Sequence, residues 1–145
     1  MPKTLVLPGA AGSATFWRPV ASHAGLEGLF FAWPGLGHEP PQGDIRSIDD
    51  LVDTVGAHIT EPVDIVAQSM GGFIALRLAL AFPHLVRRLV LTTTSGGVPV
   101  ADLGGCPWRD DYARTFPNAA LWIADPVSDL SARLPAVTQP LTCSA

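Results

Sequence analysis

The sequence predicts an α/β fold in which a doubly wound, mostly parallel sheet forms the middle of three layers. Continuous apolar runs, typical of strands buried on both faces, alternate with segments long enough for a helix. Glycine and proline end these runs, as Pro8 with Gly9 and Pro34 with Gly35 do. Strands that alternate with helices of about a dozen residues indicate crossover connections and parallel pairing. The 145 residues fit a single domain.

Residues 1–95 are predicted to form the sheet core. Its strands are expected at 4–7, 29–33, 63–68 and 86–93, and its helices at 16–24, 47–59 and 70–81. The second helix carries apolar residues at helical spacing, and Ser47 or Asp49 can cap its start. These elements follow one another as strand, helix, strand throughout, which supports the α/β class.

The regular alternation ends after Ser95. Residues 96–130 are rich in proline, glycine and tryptophan, with weak helical stretches near 108–116 and 119–123, and we interpret them as a lid-like region above the sheet. A further short helix is predicted at 129–134. Residues 131–145 are expected to be an irregular tail, which leaves the sheet incomplete at its C-terminal end.

Composition excludes several classes of function. A net charge of -4 and a pI near 5.4 argue against a nucleic-acid partner. Cys106 and Cys143 are too few and too far apart for a disulfide framework or a metal-binding spacing. The first apolar run is too short for a signal peptide or a membrane span. We therefore expect a cytoplasmic protein without a membrane partner.

The most informative motif is Ala67-Gln68-Ser69-Met70-Gly71, in which a predicted strand turns directly into a predicted helix at a serine. Such a turn is tight enough to require small residues two positions before and after the serine, and it exposes the hydroxyl. The pattern predicts a nucleophile elbow with Ser69 as nucleophile. The alternative is an ordinary serine N-cap.

A serine nucleophile needs an oxyanion hole of two backbone N–H groups. Met70, the residue after the serine, is the predicted first donor. The small, glycine-rich loop after the first strand supplies the second, and Ala10 is the candidate there. Gly9 and Gly12 also allow a phosphate-binding loop, although the chain has no G-x-G-x-x-G motif and no Walker lysine.

These motifs together resemble the α/β-hydrolase family. The resemblance rests on the glycine-rich turn, Trp17, the elbow, and two segments, Trp33-Pro34-Gly35-Leu36-Gly37-His38 and Phe82-Pro83-His84-Leu85-Val86. It covers residues 3–95 well and 96–140 loosely, and it is closest to the N-terminal two-thirds of a small bacterial esterase or C–C hydrolase. Pro8 departs from the family, where histidine is common before the glycine.

The resemblance implies a catalytic acid and histidine after the lid, in the chain order serine, acid, histidine. His23, His38, His58 and His84 all precede the lid, whereas the family's order places the catalytic histidine after it. The acidic residues beyond the fourth strand suit loops and caps better than catalysis; they are Asp102, Asp110, Asp111, Asp125 and Asp129. We therefore expect both the acid and the histidine to be absent from this chain.

The C-terminal segment leads toward the family's next core strand, yet only Leu141-Thr142-Cys143-Ser144-Ala145 follows it. We expect a truncated product with impaired or no activity. A sheet that lacks its last strands leaves an open edge, so self-association through that edge is also expected.

The resemblance implies a serine hydrolase acting on a small-molecule ester or related carbonyl compound, with no cofactor and no metal. Residues expected to line its pocket are Gly9, Gln68, His38, Trp108 and Trp122. One alternative is a non-catalytic remnant or ligand-binding module, and another is a nucleotide-binding α/β domain.

Overall fold

The computed structural model describes residues 2–145 and contains a five-stranded sheet in the order β2-β1-β3-β4-β5, with every neighbouring pair parallel. The strands are β1 (Lys3–Leu7), β2 (Leu29–Phe30), β3 (Val63–Gln68), β4 (Val86–Thr92) and β5 (Leu141–Ser144). The helices are α1 (Arg18–Ala24), α2 (Ile48–Gly56), α3 (Met70–Ala81) and α4 (Arg109–Thr115). Two 3-10 turns lie at Leu121–Ala124 and Leu134–Ala136. The predicted α/β class and parallel sheet are confirmed.

The sheet is doubly wound because the chain moves from β1 to one neighbour, β2, and then crosses back to the other, β3. Right-handed crossovers put α1 on one face and α2 with α3 on the opposite face. Val63, Ile65 and Ala67 of β3 are buried in the main apolar core together with most of α3. Within residues 2–145, no helix is both long enough and apolar enough to cross a membrane.

The predicted bounds of helices and strands agree best with the structure where the sequence signal is local. The structure gives β3 and α3 the predicted bounds, and Ser47 caps α2 by accepting a hydrogen bond from the Asp50 N–H at 3.2 Å. The strand predicted at 29–33 ends at Phe30, because the Trp33 N–H donates to the Gly12 carbonyl, outside the sheet. The helix predicted at 129–134 is wrong: the Asp129 carboxylate accepts from the Ser131 N–H and holds a turn there.

The prediction of an irregular tail is wrong for Leu141–Ser144, which form β5. The Leu89 N–H donates to the Pro140 carbonyl at 3.0 Å, and the Thr93 N–H donates to the Ser144 carbonyl at 2.9 Å. An edge strand needs backbone pairing more than an apolar run, so the mixed composition misled the prediction. All four residues of β5 are exposed, and within residues 2–145 the strand has a neighbour on one side only. Self-association through this edge stays a prediction.

The lid-like region begins after β4, and its end at Leu130 lies beside its start at Gly97. The Leu130 N–H donates to the Gly97 carbonyl at 2.9 Å, and the Leu130 side chain is buried. Between these two residues lie α4 and the first 3-10 turn. This hydrogen bond therefore closes the lid-like region at its base.

Candidate active site

Ser69 lies at the junction of β3 and α3 with φ 52° and ψ -118°. An L residue with positive φ is strained, and such strain persists only where surrounding contacts fix the backbone. The Ser69 N–H donates to the Thr92 carbonyl at 3.0 Å, and its carbonyl accepts from the Thr94 hydroxyl at 2.7 Å. The Ser69 side chain makes no capping hydrogen bond, so the N-cap alternative is not realised. Its hydroxyl is half-buried and unengaged by the helix.

The residues two positions before and after Ser69, Ala67 and Gly71, are small for a steric reason. A Cβ atom on Gly71 would lie 2.5 Å from the Pro8 carbonyl oxygen, because α3 begins directly against the end of β1. Ala67, on the other side of the serine, is fully buried in the core. Only small residues at these two positions allow Ser69 to stand between β1 and β4 at the carboxyl end of the sheet.

The loop after β1 packs against the elbow. A Cβ on Gly9 would lie 2.3 Å from Oε1 of Gln68 and 3.2 Å from Cβ of Ser69. The Gln68 side chain also donates weakly to the Thr93 hydroxyl at 3.4 Å. The structure thus brings three predicted site residues together, and Gly9 and Gln68 border the serine from two sides.

Three carbonyl groups of this loop are held from outside it. The Trp33 indole Nε1–H donates to the Pro8 carbonyl at 2.9 Å, and the Trp33 N–H donates to the Gly12 carbonyl at 2.9 Å. The Tyr112 hydroxyl donates to the Ala10 carbonyl at 2.7 Å. No acceptor within residues 2–145 engages the N–H groups of Ala10 and Met70. The carbonyl groups of the loop are therefore held, whereas the N–H of Ala10 in the loop and the N–H of Met70 at the start of α3 are both available to a ligand.

Sequence reasoning missed the supporting roles of Trp33, Tyr112 and Thr94. Both aromatic residues are buried, and a buried Tyr or Trp polar group needs a partner. Tyr112 is also the single tyrosine of the chain. A buried tyrosine is therefore predicted to form a hydrogen bond, but the partners of Tyr112, which are Ala10 and Gly37, are too distant in sequence to be predicted.

None of the four histidines meets Ser69. His23, His38, His58 and His84 are all exposed, and within residues 2–145 no histidine hydrogen-bonds to the Ser69 hydroxyl. His38 lies in the turn after β2, where its ring packs edge-on against Phe116 with centroids 5.0 Å apart. It therefore contacts the lid-like region.

The acidic candidates have other partners or face solvent. Asp102, Asp110 and Asp125 are exposed, and the exposed Asp111 pairs with Arg114 on α4. The side-chain hydrogen bond with Ser131 holds the pKa of the Asp129 carboxyl below its usual value. Over residues 2–145 the fold thus brings neither a histidine nor a carboxylate onto the serine hydroxyl.

The two tryptophans predicted to line a pocket have different environments. Trp108 borders a cavity of about 90 Å³ beneath α4, together with Tyr112 and Phe116. Trp122 packs against the main core instead, and its indole Nε1 has no acceptor within residues 2–145. A larger groove of about 520 Å³ lies between α2 and α3, and no predicted site residue lines it. A substrate pocket formed by the two tryptophans stays a prediction.

The strain at Ser69 leads to a test. Glycine adopts positive φ without a Cβ clash. The free energy of unfolding of Ser69→Gly, measured by urea denaturation, is therefore expected to be about 1 kcal/mol higher than that of Ser69→Ala. Ser22, exposed on α1, is the matched control, where alanine should be the more stable by about 1 kcal/mol. Equal stability of the two Ser69 variants would mean that the elbow is unstrained.

Comparison with known proteins agrees with this geometry. A family model described as "Alpha/beta hydrolase family" matches residues 4–142. The chain is 34% identical over 112 residues to 2-hydroxy-6-oxononadienedioate/2-hydroxy-6-oxononatrienedioate hydrolase of Paraburkholderia phymatum, covering 67% of this chain and 38% of the relative. The chain spans little more than a third of the length of the curated relatives that it matches first.

Solved structures give the same result. The M. tuberculosis esterase Rv0045c is 32% identical with a TM-score of 0.52, covering 62% of this chain and 33% of that one. An extracellular alpha/beta-hydrolase from a Paenibacillus species aligns over 98% of this chain and 76% of its own with a TM-score of 0.66, and at 16% identity it supports the fold alone. Since the family model covers nearly the whole chain, the protein belongs to the alpha/beta hydrolase family.

Proposed function

We propose that this chain carries the nucleophile and the oxyanion site of a serine hydrolase that acts on a small-molecule ester or related carbonyl compound. The observation that carries the proposal is the strained Ser69 with a free hydroxyl, beside which the N–H of Ala10 in the neighbouring loop and the N–H of Met70 at the start of α3 have no acceptor within residues 2–145. Matched relatives that are named as a hydrolase and an esterase support the reaction class. The substrate itself and a cytoplasmic location stay predictions.

The chemistry follows from these groups. The Ser69 oxygen would attack the carbonyl carbon, and the carbonyl electron pair would move onto its oxygen. The N–H groups of Ala10 and Met70 would donate to that oxyanion, and the Met70 group also lies at the N-terminus of α3, where the helix dipole favours negative charge. Collapse of the intermediate would expel the leaving group, and water would then release the acyl group from the serine.

The serine proton must pass to a base, and no histidine or carboxylate within residues 2–145 contacts the hydroxyl. A hydroxyl without a base is a poor nucleophile. We therefore propose that this chain alone turns over slowly or not at all.

Fluorophosphonate labelling tests the proposal. We expect slow labelling of the 145-residue chain at Ser69, found by intact mass and peptide mapping, and none in Ser69→Ala. Free imidazole, as an added base, should accelerate the reaction several-fold in the parent chain and have no effect in Ser69→Ala. Ser95→Ala, an exposed serine after β4, is the matched control and should label like the parent.

The second candidate is a non-catalytic ligand-binding member of the family. It is favoured by the exposure of all four histidines away from the serine. A parent chain that stays unlabelled with and without imidazole, while an active serine hydrolase labels under the same conditions, would replace the catalytic proposal with this one.

A further inference from the structure

Tyr112 is the single buried residue of α4, and its hydroxyl reaches two backbone groups far away in the sequence. We propose that Tyr112 is a positioning residue that couples the docking of α4 to the conformation of the Ala10 loop. The inference rests on the proposed function, in which the Ala10 N–H is an oxyanion donor. According to this inference, the lid-like region helps to hold the Ala10 loop in the conformation that presents its N–H to an oxyanion.

The hydroxyl is fully used by its two contacts. It accepts from the Gly37 N–H at 2.9 Å and donates to the Ala10 carbonyl at 2.7 Å. A tyrosine hydroxyl has one proton to donate, so the bond to Ala10 commits it. Removal of this oxygen leaves one carbonyl without a donor and one N–H without an acceptor.

The contact with Ala10 fixes one of the two peptide planes that meet at this residue. The other plane contains the Gly9 carbonyl and the Ala10 N–H, which point in opposite directions in a trans peptide. The Gly12 N–H donates to the Gly9 carbonyl at 3.0 Å and holds this second plane. The Gly12 bond therefore holds the plane of the Ala10 N–H itself, and the Tyr112 bond holds the adjoining plane, so that rotation about the Ala10 backbone is restricted from both sides.

Docking of α4 depends on the same side chain. The Tyr112 ring lies between Trp108 and Phe116, with centroid distances of 5.6 Å and 4.9 Å. Phe116 in turn packs on His38 in the turn that contains Gly37. Release of α4 would break both hydrogen bonds of Tyr112, so the helix cannot leave without freeing the Ala10 carbonyl. Such coupling is reciprocal, and an anion held at the Ala10 N–H would favour the docked helix.

Protonation supports the geometry. Burial raises the pKa of the Tyr112 hydroxyl above its usual value, and the hydrogen bond from Gly37 opposes this only in part. Among the described residues, 2–145, neither a carboxylate nor a basic side chain forms a hydrogen bond with the hydroxyl; its partners are the two backbone groups. The hydroxyl therefore keeps its proton, and so its bond to Ala10, across the neutral pH range.

Amide hydrogen exchange of Tyr112→Phe tests the coupling without any need for activity. We expect the Gly37 amide to exchange about tenfold faster than in the parent, and the Ala10 and Ala11 amide signals to shift in the NMR spectrum. Amides within α3 should keep their protection, which verifies folding. Trp108→Phe, on the same helix but with no hydrogen bond to the loop, should leave all of these unchanged. Unchanged Gly37 and Ala11 amides in Tyr112→Phe would overturn the inference.

Fluorophosphonate labelling connects the coupling to the donor site. The maximal labelling rate of Ser69 should fall about tenfold in Tyr112→Phe while the half-saturating concentration stays the same. An equal maximal rate in parent and variant overturns the link to the oxyanion. A parent that does not label overturns the proposed function, and the amide exchange then decides the coupling by itself.

A conservative replacement covers the case in which Tyr112→Phe does not fold. Because the chain has one tyrosine, 3-fluorotyrosine can be introduced at position 112 alone. Its hydroxyl keeps both hydrogen bonds and loses its proton at lower pH. The Ala10 carbonyl carbon shift should then change with the same midpoint as the fluorine chemical shift, because the phenolate can no longer donate to that carbonyl. A carbonyl shift that does not follow the fluorine shift overturns the inference.

Discussion

Replacing Gly37 by alanine is expected to lower the free energy of unfolding by about 4 kcal/mol, which is near the upper end for a single substitution. The new Cβ atom would lie 1.9 Å from the Ala11 carbonyl oxygen, and Gly37 has φ 58°, which L residues rarely adopt. The neighbour is backbone, so it cannot move aside as a flexible side chain would. Urea denaturation of the purified chain measures the loss.

Two other glycines separate the causes. Gly25 has φ 63° but open space around its Cβ position, so Gly25→Ala should cost only about 1–2 kcal/mol. Gly43 has neither a positive φ nor a neighbour within 4 Å, so Gly43→Ala should change stability by less than about 0.5 kcal/mol. If Gly37→Ala lowers the free energy of unfolding no more than Gly25→Ala does, the turn after β2 is not in close steric contact with the Ala11 backbone.

Trp33→Ala is expected to cost about 4 kcal/mol. Trp33 is fully buried, packs at 6.1 Å from the Phe31 ring, and its indole donates to the Pro8 carbonyl. The substitution removes the largest fully buried side chain of the core and the donor that fixes the start of the Ala10 loop. Thermal and urea unfolding, compared with the parent, measure the effect.

Trp108→Ala is the matched control, because Trp108 is 41% exposed and should cost less than about 1 kcal/mol. Trp33→Phe keeps an aromatic ring but leaves the Pro8 carbonyl without its indole donor, so an intermediate cost of about 1–3 kcal/mol is expected. Similar losses in Trp33→Ala and Trp108→Ala would contradict the central place given to Trp33.

The parts of the fold that the sequence predicts are those with local signals. The β3–α3 unit has the predicted bounds because an apolar run, a tight serine turn and a continuous helix follow one another. The β5 strand has no such signal, since the neighbouring edge of β4 rather than its own composition makes it a strand. The serine and the glycine-rich loop are predictable from motifs for the same reason that β3 is.

The support of the site could not be predicted. Tyr112 meets Gly37 and Ala10, which are 75 and 102 residues away along the chain, and nothing near Tyr112 identifies these partners. Thr94 bonds to the Ser69 carbonyl only because β3 and β4 are neighbours in the sheet. Such contacts depend on the folded topology, so sequence patterns indicate the elbow serine but not the groups that hold it.

The donors assigned to the oxyanion site are main-chain groups, and this has a consequence for how the family can diverge. Any residue except proline at positions 10 and 70 supplies the same N–H, so the proposed donors require no particular side chain there beyond what packing demands. The constraint passes to the positions that hold the Ala10 loop, such as Gly37, where a Cβ would meet the Ala11 backbone, and Trp33, whose indole donates to the Pro8 carbonyl. In this chain, identity at the supporting positions is therefore a better guide to a preserved site than identity at the donor positions.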